Sequence, residues 1–383
     1  MRRPLTVGVS FPSASVRLVR LEAMPLEVAL REPFVIATAR VDHTPSVCVT
    51  AEIEVASSGA RAIGLGEAAA LPPVTREDVP MILERVARVA GALGPTALRD
   101  EAALTRALDE LLGDVPVARA GVETALLDAL ARLQGIPLAT LLGGVDRDTV
   151  RATTLETDVT IPIADLDRMV TLAREWRARG FRALKVKVGR DAAHDLQALL
   201  ALGAAVPDAR LRLDANAALD ATAAMTLLDR ALSHGVNVEL YEQPCARDDL
   251  RAMAEVTARS RVPVVADESV RTRDDLEAVV RARAAHGVNL KLGKHGGPLA
   301  ALAIGRAARA RGLSLMAGAM VETRLGLAAM AHVVAALGGV DWIDLDTALL
   351  LAEDPFDGGY AANGSELALT GEPGHGVRWR RGP

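Results

Sequence analysis

The chain has 383 residues, of which 50% are hydrophobic and only 2% aromatic, and its formal net charge is -5. This length exceeds what one hydrophobic core usually organises, so we expect one large domain and a smaller one. The charge excludes a basic surface for nucleic acid, and the two cysteines, Cys48 and Cys245, provide neither a disulfide framework nor a zinc motif. These properties are typical of a cytoplasmic protein without a nucleic-acid partner.

The first 150 residues predict an α+β domain. Residues 47–55 alternate between apolar and polar side chains, as in an antiparallel strand, and helical periodicity follows over about residues 76–113 and 118–133. The N-terminus lacks an uncharged apolar stretch, so we expect no signal peptide. We interpret residues 1–16 as a flexible extension.

From about residue 151 the pattern becomes a regular alternation of strand and helix. Eight strand candidates occur, each with a helix after it, and this is the pattern of a TIM-type (β/α) barrel. The clearest are strands at residues 154–161, 183–188, 314–319 and 342–346 and helices at residues 164–179 and 192–205. The apolar stretch at residues 325–340 is too short to span a membrane and predicts a buried barrel helix.

These patterns divide the chain into three parts. We assign residues 1–150 to an α+β domain that caps the barrel and residues 151–352 to the catalytic barrel. Residues 353–383 are rich in Gly and Pro, and we expect this segment to pack back on the N-terminal domain.

A series of charged residues lies late in the predicted barrel strands. The intervals between consecutive strands of the series are 24 to 29 residues, the length of a strand, a helix and two loops. Because active sites of such barrels lie at the C-terminal ends of the strands, these groups are expected to converge. The series is Lys185, Lys187, Asp214, Glu242, Asp267 and Lys291.

The residue types in this series indicate proton transfer beside a metal ion. Lys185 and Lys187 share one face of a strand, and burial beside a like charge lowers a lysine pKa, as a general base requires. Three carboxylates on adjacent strands offer hard oxygen ligands for Mg²⁺ with open positions for substrate. Lys291 is expected to face Lys187 across the substrate. A solvated loop residue or an ion pair is the alternative for any single member.

Five motifs together resemble the enolase superfamily in its muconate lactonizing enzyme subgroup. They are Lys185–Lys187, Asp214–Asn216, Glu242–Pro244, Ala266–Ser269 and Asn289–Lys294. The resemblance implies one Mg²⁺ per chain on Asp214, Glu242 and Asp267, and abstraction of the proton α to a carboxylate through an enediolate. Asn216 and Glu268 are expected to brace the adjacent ligands.

Asp344 and Asp346 distinguish among substrates of that superfamily. They lie at i and i+2 on the predicted eighth strand, and paired inward carboxylates need a cation, for which a substrate ammonium is suited. A helix cap or surface turn is the alternative for an isolated Asp-x-Asp. The pair resembles that of dipeptide epimerases, in which it holds the free α-ammonium of the peptide.

The same resemblance nominates weaker substrate contacts. These are Thr160 on the first strand and Ala319, Met320 and Val321 on the seventh. In related epimerases that act on Ala-Glu, an arginine in a capping loop contacts the glutamate carboxylate. Arg40 follows Pro33 and Phe34 in such a loop, with a plain surface arginine as the alternative.

The resemblance therefore implies an isomerase, a Mg²⁺-dependent dipeptide epimerase with two-base 1,1-proton transfer. Lys187 and Lys291 would act on opposite faces of the Cα, and Lys185 would add positive charge near the enediolate. The alternatives are an N-acylamino acid racemase, an o-succinylbenzoate synthase or a muconate cycloisomerase, whose substrates lack a free ammonium, and a non-catalytic ligand-binding barrel. The expected partner is a small molecule, with no membrane, and a homo-oligomer is left open.

Overall fold

The computed structural model of the chain describes residues 8–9, 11–12, 14–72, 74–94 and 98–381. Residues 1–7, 10 and 13 of the predicted flexible extension lie outside the described residues.

The N-terminal part combines antiparallel strands with a group of helices. Its strands are β1 (Val16–Leu26), β2 (Ala29–Val35), β3 (Arg40–His43), β4 (Ser46–Val55) and β5 (Arg61–Ala69), and its helices are α1 (Val79–Ala92), α2 (Glu101–Leu112), α3 (Pro116–Leu133), α4 (Leu138–Leu141) and α5 (Arg147–Ala152). One sheet has the order β1-β4-β5, and β2 pairs with β3 as a hairpin. The α+β prediction is confirmed, and the helical stretch predicted at residues 76–113 divides into α1 and α2.

Short polar side chains at the helix starts explain several of these boundaries. Asp100 Oδ1 accepts a 2.7 Å hydrogen bond from Ala103 N at the start of α2, and Asp78 Oδ1 accepts one of 2.9 Å from Met81 N at the start of α1. Each bond satisfies a backbone N–H that has no partner within the helix. The helix starts are therefore encoded locally.

Two glycines allow β5 to pack directly on α3. A Cβ atom at Gly64 would lie 2.1 Å from the carbonyl oxygen of Ala125, and one at Gly66 would lie 2.1 Å from that of Gly121. Neither position has room for a side chain. The strand and the helix therefore meet backbone against backbone.

Replacing Gly66 with alanine is expected to lower the free energy of unfolding by at least about 2 kcal/mol, because the added methyl group forces the two backbones apart. Gly91 in α1 is the matched control, since it is exposed and a Cβ there meets nothing within 4 Å. Gly91→Ala should raise the free energy of unfolding by about 0.5–1 kcal/mol. Urea unfolding of both variants measures the difference, and equal effects would contradict the close packing of β5.

The second part alternates strands with helices, as predicted. Its elements are β6 (Thr154–Glu156), β7 (Val159–Ile161), α6 (Leu166–Ala178), β8 (Ala183–Lys187), α7 (Ala192–Ala205), β9 (Arg210–Asp214), α8 (Ala221–Ser233), β10 (Val238–Glu242), α9 (Leu250–Arg259), β11 (Val264–Ala266), α10 (Arg273–Ala282), β12 (Gly287–Leu290), α11 (Leu292–His295), α12 (Pro298–Ala310), β13 (Ser314–Ala317), α13 (Arg324–Leu337) and β14 (Trp342–Ile343). Strands β7 to β14 form one eight-stranded sheet in chain order, with parallel pairing. A parallel bridge between Thr157 and Ile343 joins its two ends, so the sheet closes as a barrel.

The first predicted barrel strand, at residues 154–161, is interrupted in the structure. Only β7 joins the barrel, whereas β6 pairs antiparallel with a strand of the C-terminal segment. The chain changes partners at Thr157, whose N–H donates to Ser365 O, while the N–H of Asp158 donates to Ile343 O. Alternation alone did not reveal this change because both halves are extended.

The C-terminal segment contacts both parts of the chain. A 3₁₀ turn at Thr347–Leu349 precedes β15 (Phe356–Gly358), β16 (Tyr360–Asn363), β17 (Glu366–Leu369) and β18 (Val377–Trp379). β17 pairs with β6, while the N–H of His375 donates to Asp128 Oδ1 (2.9 Å) on α3. These contacts support the predicted return to the N-terminal domain, and the division of the chain into three parts stays a prediction.

Most buried aliphatic side chains form one core through both parts of the chain, and Leu240, Val265 and Met316 form a separate small cluster. Leu325–Leu337 of α13 is buried throughout, so the predicted buried barrel helix is confirmed. Cys48 and Cys245 are both free and buried. Across the described ranges, no helix has the length and apolar character needed to cross a membrane.

Candidate active site

The predicted charge series lies buried at the C-terminal ends of consecutive barrel strands. Lys187, Asp214 and Glu242 each end their strand, and the parallel pairing sets them side by side across β8, β9 and β10. Asp267 follows β11 directly and Lys291 follows β12. The barrel thus brings groups that are far apart in sequence to one edge.

Lys185 connects three carboxylates. Its Nζ lies 3.0 Å from Asp214 Oδ2, 2.7 Å from Glu242 Oε2 and 2.7 Å from Asp344 Oδ2. Lys187 Nζ reaches the same Asp214 oxygen at 2.6 Å. Both lysines of the strand therefore point to one side, as their i, i+2 spacing predicts.

Two further lysines hold Asp267. Lys291 Nζ lies 2.8 Å from Asp267 Oδ2, and Lys294 Nζ donates to Asp267 Oδ1 at 2.7 Å and to Asn289 O at 2.6 Å. Although burial raises the pKa of Asp267, the two ammonium groups outweigh it and hold that pKa well below its usual range. Asp267 is therefore ionised.

Every lysine in the sequence belongs to this group. The chain has 44 Lys and Arg residues together, and its lysines are Lys185, Lys187, Lys291 and Lys294. All four are buried. The remaining basic residues are arginines.

Among the protein's own groups alone, two of the lysines have raised rather than lowered pKa values. Burial does lower the pKa of Lys185, but Asp214, Asp344 and Glu242 raise it further and hold it well above its usual range. The pKa of Lys291 is likewise raised, since the charge of Asp267 outweighs burial. The expectation of lowered pKa values counted burial and the second lysine but not the surrounding carboxylates.

The donor set of Asp214, Glu242 and Asp267 fits Mg²⁺, which prefers hard oxygen ligands. All three carboxylates are buried, and each has an oxygen within 3.0 Å of a lysine ammonium, so each lies where a cation is needed. Glu242 Oε2 has an ammonium 2.7 Å away but no partner in hydrogen-bond geometry. Their assignment as the metal ligands stays a prediction.

Asn216 and Glu268 lie beside these predicted ligands. The N–H of Asn216 donates to Asp214 Oδ1 at 2.9 Å, and its Nδ2 donates to Glu268 Oε1 at 3.3 Å. Burial and the charge of Asp267 raise the pKa of Glu268 to about 7. Their contacts match the predicted bracing position, and the role itself stays a prediction.

A second carboxylate group lies next to Lys185. Asp158, Asp344 and Asp346 each place one oxygen within 4.8 Å of the others, and among the residues that the structure describes no other acidic group is as tight. Asp346 Oδ2 accepts from the N–H of Thr160 at 2.6 Å, while its Oδ1 is buried without a hydrogen-bond partner. Burial and then Asp344 raise the pKa of Asp346 to about 6. The unpartnered oxygen of Asp346 is suited to a cationic donor.

A small cavity of about 30 Å³ brings most of the predicted site residues together. Its lining includes Thr160, Lys185, Lys187, Asn216, Lys291, Ala319, Met320, Val321, Asp344 and Asp346. It also includes Phe34, Ile36, Leu71, Val74 and Thr347, which sequence reasoning missed. The cavity therefore lies between the barrel mouth and the N-terminal domain.

Arg40 is the predicted substrate contact that the structure does not bring to the cavity. Its side chain is 63% exposed and lies 3.5 Å from Asp42. The resemblance gave its loop but not the direction of its side chain, because loop lengths in that family vary. The suggestion of an acidic substrate side chain loses its support with it.

Sequence reasoning also missed three polar residues at the barrel mouth. Arg212 Nη1 donates to Asp158 Oδ2 at 2.9 Å, and Asn289 Nδ2 donates to Glu242 Oε1 at 2.7 Å. Arg212 precedes Asp214 by two residues, and Asn289 precedes Lys291 by two. Asp158 likewise precedes Thr160 by two residues. The i, i+2 rule applied to these strands would have found all three.

Comparison with known families gives two matches that together span most of the chain. The description "Mandelate racemase / muconate lactonizing enzyme, N-terminal domain" matches residues 19–143. The description "Enolase C-terminal domain-like" matches residues 168–382.

Individual proteins are similar over nearly the same length. The chain is 36% identical over 367 residues to an L-Ala-D/L-amino acid epimerase from Populus trichocarpa, covering 94% of this chain and 84% of that protein. It is 37% identical over 358 residues to an aromatic dipeptide epimerase from Herpetosiphon aurantiacus, covering 93% and 97%. A dipeptide epimerase from Enterococcus faecalis V583, solved with Mg and L-Leu-L-Tyr, superposes with a TM-score of 0.85 at 29% identity, covering 94% and 99%.

Proposed function

Because the chain belongs to the mandelate racemase/muconate lactonizing enzyme family of the enolase superfamily, we propose that it is a Mg²⁺-dependent dipeptide epimerase. It is an isomerase that inverts the Cα of the C-terminal residue of a dipeptide. The observation that carries this assignment is the carboxylate group of Asp158, Asp344 and Asp346 beside the lysines. A substrate with a free ammonium fits there.

The ammonium site follows from charge and hydrogen bonding. Asp158 is already bonded to Arg212 and Asp344 to Lys185, but Asp346 Oδ1 is buried and has no partner. A buried polar atom without a partner is costly, and a substrate ammonium supplies three donors. N-acylated substrates lack that charge.

The two bases come from opposite sides of the barrel. Lys187 ends β8, the second barrel strand, and Lys291 follows β12, the sixth, so three strands lie between them in either direction around the barrel. Both line the cavity. Lys187 removes the Cα proton on one face and Lys291 delivers a proton on the other, with the roles exchanged in the reverse reaction.

The remaining groups orient the substrate and stabilise charge. Asp214, Glu242 and Asp267 would hold Mg²⁺, one per chain, and its positive charge would lower the pKa of the Cα proton beside the substrate carboxylate. Lys185 adds a second positive charge at the same end. Asp346 fixes the amino end, so that binding energy far from the Cα is used for orientation.

Incubation of the protein with Mg²⁺ and L,L-dipeptides in D₂O tests the assignment. Deuterium should appear at the Cα of the C-terminal residue together with the L,D product, as followed by ¹H NMR. Exchange of N-succinylamino acids without exchange of free dipeptides would assign the chain to another activity of the superfamily.

Asp346→Asn is expected to lower kcat/KM for dipeptides by about 10²-fold, because a neutral amide does not hold an ammonium as a carboxylate does. Asp346 is ionised above its pKa of about 6, so KM of the unchanged protein should rise as the pH falls below that value. The variant should lose this dependence. Steady-state kinetics at pH values above and below this pKa check both effects. Asp357→Asn, at an exposed position on β15, is the control and should change neither kcat/KM nor the pH dependence of KM.

The cellular setting is part of the proposal. Two free, buried cysteines are consistent with a reducing compartment, the cytoplasm. The partner is a small-molecule dipeptide, and a homo-oligomer stays a prediction.

A further inference from the structure

The wall of the cavity that faces the N-terminal domain is apolar. Phe34 lies on β2 and Ile36 follows it, and both are buried, as is Leu71 after β5. Met320 and Val321, from the loop after β13, continue this wall from the barrel. Val74 completes it and is half-buried.

The cations of the cavity are already paired. Lys185, Lys187 and Lys291 each have a carboxylate oxygen within 3.0 Å. Within the described part of the lining there is no other cationic side chain. Arg40 is exposed beside Asp42. Within this cavity, no free positive charge therefore meets a substrate side chain.

The substrate side chain must lie against this wall. Lys187 Nζ is 5.9 Å from the centre of the Phe34 ring, so a Cα presented to Lys187 lies within reach of Phe34 for its side chain. A cavity of about 30 Å³ holds on the order of one water molecule. A bound dipeptide must therefore displace the apolar side chains around it, and these then enclose it.

We infer that the enzyme selects dipeptides whose C-terminal side chain is apolar, an inference that rests on the proposed function. An apolar side chain gains by leaving water against Phe34, Ile36 and Leu71. A carboxylate or ammonium in the same place loses its hydration and finds no counter-charge. The wall thus discriminates by excluding charge as well as by attracting apolar groups.

A panel of four substrates tests this inference on the unchanged protein with Mg²⁺. L-Ala-L-Leu and L-Ala-L-Phe should show kcat/KM at least about 100-fold above L-Ala-L-Glu and L-Ala-L-Lys, because a buried unpaired charge is rejected strongly. A value for L-Ala-L-Glu equal to or above that for L-Ala-L-Leu would overturn the inference. Exchange with none of the four would instead contradict the proposed function, so the two failures are distinguishable.

Two variants test whether the apolar wall causes this substrate preference. Val74→Arg places a cation at a half-buried position of the lining, and it should raise the ratio of L-Ala-L-Glu to L-Ala-L-Leu turnover by at least about 10-fold. Arg40→Ala should leave that ratio unchanged. Selective loss of L-Ala-L-Glu turnover in Arg40→Ala would place Arg40 against the substrate and overturn the inference. Circular dichroism confirms that both variants are folded.

Discussion

Replacing Lys187 or Lys291 with alanine is expected to reduce epimerisation by about 10³-fold or more, since each removes one of two acid–base groups. Deuterium exchange should persist from one diastereomer in each variant, because the remaining lysine still acts on its own face. The L,L and L,D dipeptides, incubated separately in D₂O, measure the two faces independently. Full epimerisation by both variants would rule out the two-base assignment.

Arginine substitutions separate charge from proton transfer at the same positions. Lys187→Arg and Lys291→Arg keep the positive charge next to Asp214 and Asp267, but a guanidinium does not release a proton at accessible pH. These variants should therefore be as inactive as the alanine variants. Arg190→Ala is the matched control, since Arg190 is an exposed cation three residues after Lys187, and its activity should equal that of the unchanged protein.

Glu242→Gln is expected to abolish the stabilisation of the protein by Mg²⁺, whereas Asp346→Asn should retain it. In the unchanged protein, Mg²⁺ should raise the melting temperature, because a ligand of the folded state stabilises it by mass action. Removal of the metal with EDTA should lower activity by at least about 10³-fold. The melting temperature gives a readout that does not depend on turnover.

Comparing these two variants is informative because Lys185 contacts both sets of carboxylates, the predicted metal ligands and the group of Asp158, Asp344 and Asp346. Asp214, Glu242 and Asp344 each place an oxygen within 3.0 Å of its ammonium. Retained Mg²⁺ stabilisation in Glu242→Gln, with loss in Asp346→Asn, would assign the metal to the group of Asp158, Asp344 and Asp346. The ammonium site would then need another location.

Most of the barrel was predictable because its signals are local. Helix α7 has the predicted bounds, and the charges at the ends of β8 to β12 occupy the expected edge of the sheet. The divided first strand was not predictable, because pairing of β6 with β17 joins residues about 200 positions apart and leaves no trace in alternation. The position of Arg40 away from the cavity was not predictable for a related reason, since loop spacing does not fix side-chain direction.

Several site residues were predicted from one rule, the i, i+2 spacing of side chains on the same face of a strand. Spacing of i and i+2 linked Lys185 with Lys187 and Asp344 with Asp346, but it was not extended to Arg212 or Asn289. The raised pKa of Lys185 could not be predicted from the sequence, and the reason is physical. It depends on three carboxylates from three other strands, whose distances only the closed barrel defines.

All lysines of the chain lie at the barrel mouth, and this determines how the protein reacts with amine-directed reagents. Outside the barrel mouth the chain carries positive charge on arginine alone, and arginine serves as well as lysine for solvation and ion pairing. Of these two side chains, only the lysine amine reacts readily with acylating or reductive alkylating reagents. All four lysines are buried, so such a reagent should modify lysine side chains only after the protein unfolds, and the extent of lysine labelling would report the unfolded fraction.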